Sequence, residues 1–192
     1  PVGSLPELKY PSSTRKPYSL VTGSRLASEK HVDWICKAVI QARSEVPELS
    51  LDIYGVGGER DKLETIIRDN NAQDYIHLMG QHDLSEVYQN YEAYIAGSTS
   101  EGFGLTLMEA VGGGLPIIGF DVRYGNPTFI RNGENGYLMS LPEDDKDRVE
   151  ALRKGIVDLF KQDLEKCHSV SYEVAGDFLT SSVQDKWREA VC

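Results

Sequence analysis

Apolar residues recur along the chain in two alternating rhythms. Short runs rich in β-branched and aromatic residues occur at "YSLVTGS", "LSLDIYG", "YIHLMG", "YEAYIAGS", "LPIIGFD" and "NGYLMS", each closed by Gly, Ser or Asp. Such runs, bounded by turn residues, are the pattern of strands buried on both faces. Between them the spacing lengthens to that of a helix. "HVDWICKAVIQARSEV" sets Val32, Ile35, Cys36, Val39 and Ile40 on one face, with Pro47 as its stop. "ERDKLETIIRDNN" repeats the pattern with Leu63, Ile66 and Ile67, and "DLSEVYQNY" predicts a shorter helix with Asp83 as N-cap. Another helix should follow "STSEGFG", with Leu105, Leu107, Met108 and Val111 as its apolar stripe. This β-α order predicts an α/β fold: a Rossmann-like, doubly wound parallel sheet of about six strands with right-handed crossovers. After Leu141 the signal is helical only, in "KDRVEALRKGIVDLFKQDLEK" and "SYEVAGDFLTSSVQDKWREAV", a tail expected along one edge.

The ends and the composition narrow the picture. Residues 1–17, rich in Pro and Ser and without periodicity, read as a linker, and residues 18–192 as one domain. The chain does not begin with Met, which fits a piece of a longer protein or a trimmed product. At 192 residues it is long enough to bury a full core. Thirty acidic residues against 20 basic ones give a net charge of −10, which makes a nucleic-acid backbone a poor main partner. No run approaches the apolar length that spans a bilayer, so no transmembrane segment is expected. Cys36, Cys167 and Cys192 are widely spaced and odd in number, which suits free thiols in a reducing cytoplasm. No CxxC or HExxH spacing occurs, and no metal site is expected.

In a doubly wound sheet the ligand lies beyond the carboxyl ends of the strands, so the residues after each strand are where chemistry is to be sought. The first strand ends at "GSRLASEK", where Arg25 and Lys30 suit a diphosphate, as they also suit a solvated helix start. The second ends at "YGVGGE", whose Gly55, Gly57 and Gly58 exceed what a turn needs. This is neither a P-loop nor a dinucleotide fingerprint, which disfavours ATP hydrolysis and a nicotinamide cofactor. The fourth ends at "STSEGFGLTLMEA", in which Gly102 and Gly104 free backbone N–H groups at a helix start, an anion site by geometry and dipole. Glu101 beside that site is costly unless aimed elsewhere, for example at sugar hydroxyls, and Glu109 lies more than a turn further on. Taken alone, the two glutamates read equally as helix-end and surface charges.

Together, "SRLASEK", the glycines of "YGVGGE", "HLMGQHDLSEVYQNYEAYIAGSTSEGFGLTLMEA", "GGGLPIIGFD" and "NGENGYL" resemble the C-terminal, donor-binding domain of retaining GT-B glycosyltransferases of family 4. The resemblance is collinear over roughly residues 20 to 140, and the helix around Trp187 resembles the end of that domain. It implies that Arg25 and Lys30 hold the donor diphosphate and that Glu101 grips the transferred sugar, these three being the catalytic set. It assigns Glu109 to the ribose, and Phe103, Gly104, Leu105 and Thr106 to the sugar and phosphate. Gly55 would lie beside the nucleotide, and His77, Met79 and Gly80 near the uracil of a UDP-sugar. The implied chemistry uses no metal or other cofactor, and "DVR" after the fifth strand is not a DxD motif. Within the family the phrases look most like bacterial enzymes that add N-acetylglucosamine to Ser or Thr of serine-rich-repeat adhesins. The poly(glycerol-phosphate) glucosyltransferases of teichoic acid resemble the chain nearly as well. The adhesin type implies a related non-catalytic partner subunit and a cytoplasmic enzyme, at the inner membrane face when whole. "PVGSL" resembles the strand leaving an N-terminal acceptor domain, and His31, His77, His82 and His168 do not match that domain's catalytic histidine. The chain alone is therefore expected to bind UDP-sugar and transfer little. A non-catalytic subunit using the same fold for protein contacts is the other class of reading, and the retained cations and carboxylates speak against it.

Overall fold

The computed structural model describes residues 3–184. In chain order its elements are β1 (Ser19–Gly23), α1 (Val32–Ala42), β2 (Ser50–Tyr54), α2 (Arg60–Asp69), β3 (Ile76–Gly80) and β4 (Ala93–Ile95). There follow α3 (Leu105–Gly112), β5 (Ile117–Phe120), α4 (Gly125–Phe129), β6 (Gly136–Met139), α5 (Asp145–Phe160) and α6 (Leu164–Gly176). The strands form one parallel sheet in the order β3-β2-β1-β4-β5-β6, the Rossmann-like arrangement that the alternating rhythm predicts. Register alternation splits the core in two: Leu20, Ile53, Ile95 and Ile118 face α1, α2 and α5, while Val21, Tyr54, Tyr94 and Ile117 face α3 and α6. Both layers are apolar, which is why the strands read as continuous apolar runs. The order reverses between β1 and β4, and a crevice opens there at the carboxyl ends.

Several local predictions need correction. α1 stops at Ala42, well before Pro47, in a turn closed by bonds from Arg43 and Val46 N–H to helical carbonyls. Residues 83–91 form two short 3₁₀ turns, Leu84–Glu86 and Tyr88–Asn90, rather than one α-helix, although Asp83 does cap the first through Ser85 N–H. Leu105 leaves the predicted stripe of α3 and is exposed, whereas Leu107, Met108 and Val111 are buried. The first tail helix ends at Phe160 and the next begins at Leu164 behind the Asp163 cap, so the break falls earlier than predicted. The predicted helix around Trp187, with Cys192, lies outside the described residues; Cys36 and Cys167 are free and buried.

Two features frame the crevice from behind. Residues 3–17 hold no helix and run across the domain: Leu5 N–H bonds Phe178, and Arg15 is buried, donating to the carbonyls of Gln89, Tyr91 and Gly113. The other is a polar network inside the sheet. Asp52 on β2 accepts from His77 Nδ1 at 2.7 Å and from Tyr91 OH at 2.8 Å, with Lys16 Nζ at 3.4 Å. Tyr91 has one proton to give, so Tyr54 donates to it, at 2.8 Å. Burial pushes the Asp52 carboxyl up, but the His77 and Tyr91 bonds and the Lys16 charge outweigh it and leave it below the ordinary range.

Candidate functional site

At the switch point, two adjoining cavities of about 300 and 640 Å³ share Gly23, Ser24, Arg25 and Thr106 and form one trough. The larger is walled by Lys30 and Glu101 on one side and by Phe103, Gly104, Leu105 and Thr106 on the other. Its shape follows from the backbone. Gly104, at φ 79, is the N-cap of α3 and carries no side chain to bond the first turn, so the leading N–H groups of that turn are left without a side-chain cap beside the cavity. The smaller cavity is bounded by Tyr54, Gly55, Val56, Gln81, His82 and Leu84. Gly55 has φ 139 and carries the chain so close to β1 that a β-carbon would sit 1.8 Å from the Ser24 carbonyl oxygen. No other residue fits there.

The charged groups are arranged unevenly. Lys30 Nζ lies 3.1 Å from Glu101 Oε2, with both side chains about one-quarter exposed or less, so a cation from the end of β1 and an anion from the end of β4 meet inside the trough. Arg25 is largely exposed and is held by Glu29, four residues on, at 2.8 Å, an arrangement that leaves its fork free to reorient. Glu109, on α3, is half-buried, and its carboxylate has no hydrogen bond or ion pair among the described residues. Burial, helped by the nearby Asp83 charge, raises its carboxyl above the usual range. Glu101 also forms an isolated bridge with Tyr124, whose φ 81 and ψ −62 are a strained backbone state for a residue with a side chain. A β-carbon at the next residue, Gly125, would meet Glu101 Cγ at 2.6 Å, so the stem of the glutamate packs closely on the Gly125 backbone.

The structure thus gathers Arg25, Lys30, Glu101, Phe103, Gly104, Leu105 and Thr106 around the larger cavity, and Gly55 around the smaller. Glu109 lines neither; it sits one turn behind Thr106 on the same helix. His77, Met79 and Gly80 are not on the trough. His77 turns back to Asp52, Met79 is on the exposed side of an edge strand, and Gly80 offers only its carbonyl, to Gly55 N–H. The chain bends at Gly80, at φ 76, and brings Gln81 and His82 over Gly55 instead. Those two, with Tyr54 and Leu84, are lining residues that the motif reading missed. The turn signal at Gly80 was the available clue to them. Among the described residues no cluster of three His, Cys, Asp or Glu side chains is placed to hold a metal ion, and no helix is long and apolar enough to cross a membrane.

Comparison with known proteins gives this geometry a context. Residues 9–174 match the family model for glycosyl transferases group 1. The chain is 54% identical over 192 residues to the UDP-N-acetylglucosamine–peptide N-acetylglucosaminyltransferase GtfA subunit of Streptococcus gordonii, covering 98% of this chain and 38% of that one. It is 31% identical over 178 residues to the poly(glycerol-phosphate) alpha-glucosyltransferase of Bacillus subtilis, covering 91% of this chain and 26% of that one. The crystal structure of the pneumococcal O-GlcNAc transferase GtfA with UDP and GlcNAc superposes with a TM-score of 0.94 at 51% identity, over all of this chain and 38% of that one. A GtfA/B complex gives 0.92 at 54%, over 99% of this chain and 38% of that one. The chain therefore spans well under half the length of the curated relatives it matches.

Proposed function

The chain belongs to the glycosyl transferases group 1 family, and we propose that it is the donor-binding half of a retaining enzyme that transfers N-acetylglucosamine from UDP-N-acetylglucosamine to protein Ser or Thr. One observation carries the reading: Lys30, Glu101 and the open start of α3 converge on a single cavity at the topological switch point. In this reading the diphosphate lies against the α3 N-terminus and takes Lys30 as its counter-ion, with Arg25 swinging in from Glu29. Those two cations, together with the α3 N–H groups, stabilise the charge that grows on the UDP leaving group. The reading uses no metal, because the side chains supply the positive charge. Glu101, released by Lys30, accepts from hydroxyls of the sugar, and Glu109 from those of the ribose. The uracil enters the smaller cavity between Gly55 and the Gln81–His82 turn.

Sequence identity of 54% to a GtfA subunit, against 31% to a poly(glycerol-phosphate) glucosyltransferase, supports a protein acceptor over teichoic acid. The GtfA/B complex supports a related glycosyltransferase subunit as partner of the whole protein. In this reading acceptor binding belongs to residues beyond the 38% of the GtfA subunit that this chain spans, so these residues alone bind donor and transfer little. Titration calorimetry with UDP tests the site. Lys30→Ala should weaken binding at least about tenfold and Arg25→Ala about fivefold. No heat at millimolar UDP, or affinities unmoved by either substitution, would remove the donor-site reading. A full-length protein assayed with UDP-N-acetylglucosamine and UDP-glucose, against peptide and teichoic-acid acceptors, separates the two transferase readings.

A further inference from the structure

Tyr88 is 1% exposed, and its hydroxyl is a buried donor with no hydrogen-bond partner among the described residues. Its neighbour Tyr94, at 5.9 Å between ring centroids, is satisfied: its hydroxyl donates to the Gly23 carbonyl at 3.0 Å. The difference lies in where the Tyr88 side chain runs. It starts beside Gly113, where a β-carbon would sit 2.9 Å from Tyr88 Cβ, and ends under Gly23, where a β-carbon would sit 3.5 Å from the Tyr88 hydroxyl oxygen. It therefore lies along the face of α3 that carries Thr106, Glu109 and Gly113, residues spaced three and four apart. Thr106 lines the trough and Glu109 follows it one turn on. A buried donor without an acceptor and a half-buried acceptor without a donor thus share one helix face beneath the cavity floor.

We propose that Tyr88 is a positioning residue of this site: its hydroxyl donates to the Glu109 carboxylate and holds it toward the ribose hydroxyls of a nucleoside diphosphate. The proposal rests on the donor-site reading above and deepens it. The Glu109 charge acts on the Tyr88 hydroxyl, and no hydrogen bond or ion pair among the described residues holds the Glu109 carboxylate elsewhere. A carboxylate has lone pairs enough to accept from Tyr88 and from two vicinal hydroxyls together. The hydroxyl remains a donor at every physiological pH, since burial raises Tyr88 well above its ordinary ionisation range. Leu84 packs beside this donor, with its methyl where a Gly23 side chain would otherwise stand, and Tyr88 is buried, so water does not compete freely for it.

The test is calorimetry of the 192-residue chain and its Tyr88→Phe variant with UDP and with 2′,3′-dideoxy-UDP, alongside thermal melting of both proteins. Tyr88→Phe removes a hydroxyl that bonds nothing in the structure, so the melting temperature should hold or rise. UDP affinity should fall about fivefold, and dideoxy-UDP affinity should stay level, because the lost bond matters only when ribose hydroxyls are present. Unchanged UDP affinity, or an equal loss for both nucleotides, overturns the proposal. Glu109→Gln, measured in parallel, separates the two levels. If it weakens UDP while Tyr88→Phe is silent, the donor reading stands and only the role of Tyr88 fails; if neither matters, the ribose assignment itself is wrong.

Discussion

Asp52 and Glu109 are both carboxylates withdrawn from water, and the fold meets them in opposite ways. Asp52 receives His77 and Tyr91, with Lys16 nearby, and its carboxyl stays below the ordinary range. The side chain of Glu109 receives no bond among the described residues, and burial drives its carboxyl up. A chain able to bring three donors to one carboxylate has not brought one to the other. A buried charge whose partners come from its own sheet ties that sheet together. A half-buried carboxylate left unbonded, with the unbonded Tyr88 hydroxyl along the same helix face, marks a place that a ligand completes.

That contrast can be broken at three points, in decreasing order of effect. Asp52→Asn should cost about 2–3 kcal/mol in urea denaturation, because it weakens three contacts at a nearly buried site. A neutral result would mean that the network is ornamental and the comparison empty. Glu101→Gln should weaken UDP-N-acetylglucosamine about fivefold while leaving or tightening UDP. Equal losses for the two ligands would show that Glu101 does not see the sugar. The smallest effect is on stability: Glu109→Gln should raise Tm at pH 7 by about 1–2 °C. The sign follows from linkage. The fold raises the Glu109 carboxyl, so it favours the protonated form, and the cost of the charged form is present above the folded pKa. As pH falls through that range Glu109 takes up its proton, and the advantage of Gln should fade. A gain that grows toward low pH would contradict the assigned shift.

The fold was largely legible because burial on both faces writes itself as apolar runs. Leu20, Ile53, Ile95 and Ile118 supply one core layer, Val21, Tyr94 and Ile117 the other, and Asp52 in β2 is a single polar interruption too brief to hide its strand. α1 was legible from Val32, Ile35, Cys36 and Val39 for the same reason. α4 was not read at all, since its five residues, GNPTF, hold Gly, Asn and Pro and less than two turns of period. Residues 83–91 misled because Leu84 and Tyr88 keep helical spacing while the backbone tightens into two 3₁₀ turns. At the site, Arg25, Lys30, Glu101 and the α3 start came from motifs that stand next to strand ends, where topology alone dictates position. Gln81 and His82 depend on how the chain bends after Gly80, and Tyr88 on a contact made across α3, neither of which is a property of local sequence.

On the proposed reading, the Lys30–Glu101 bridge would bear on release of the donor's nucleotide. A diphosphate must then take Lys30 away from an internal rival, and bare UDP offers the displaced carboxylate nothing in return. A UDP-sugar does, through its hydroxyls. The trough would then hold the loaded donor more firmly than the spent one, and Glu101 would reclaim its lysine as the product leaves, so that departure of UDP is promoted by the same carboxylate that selects the sugar.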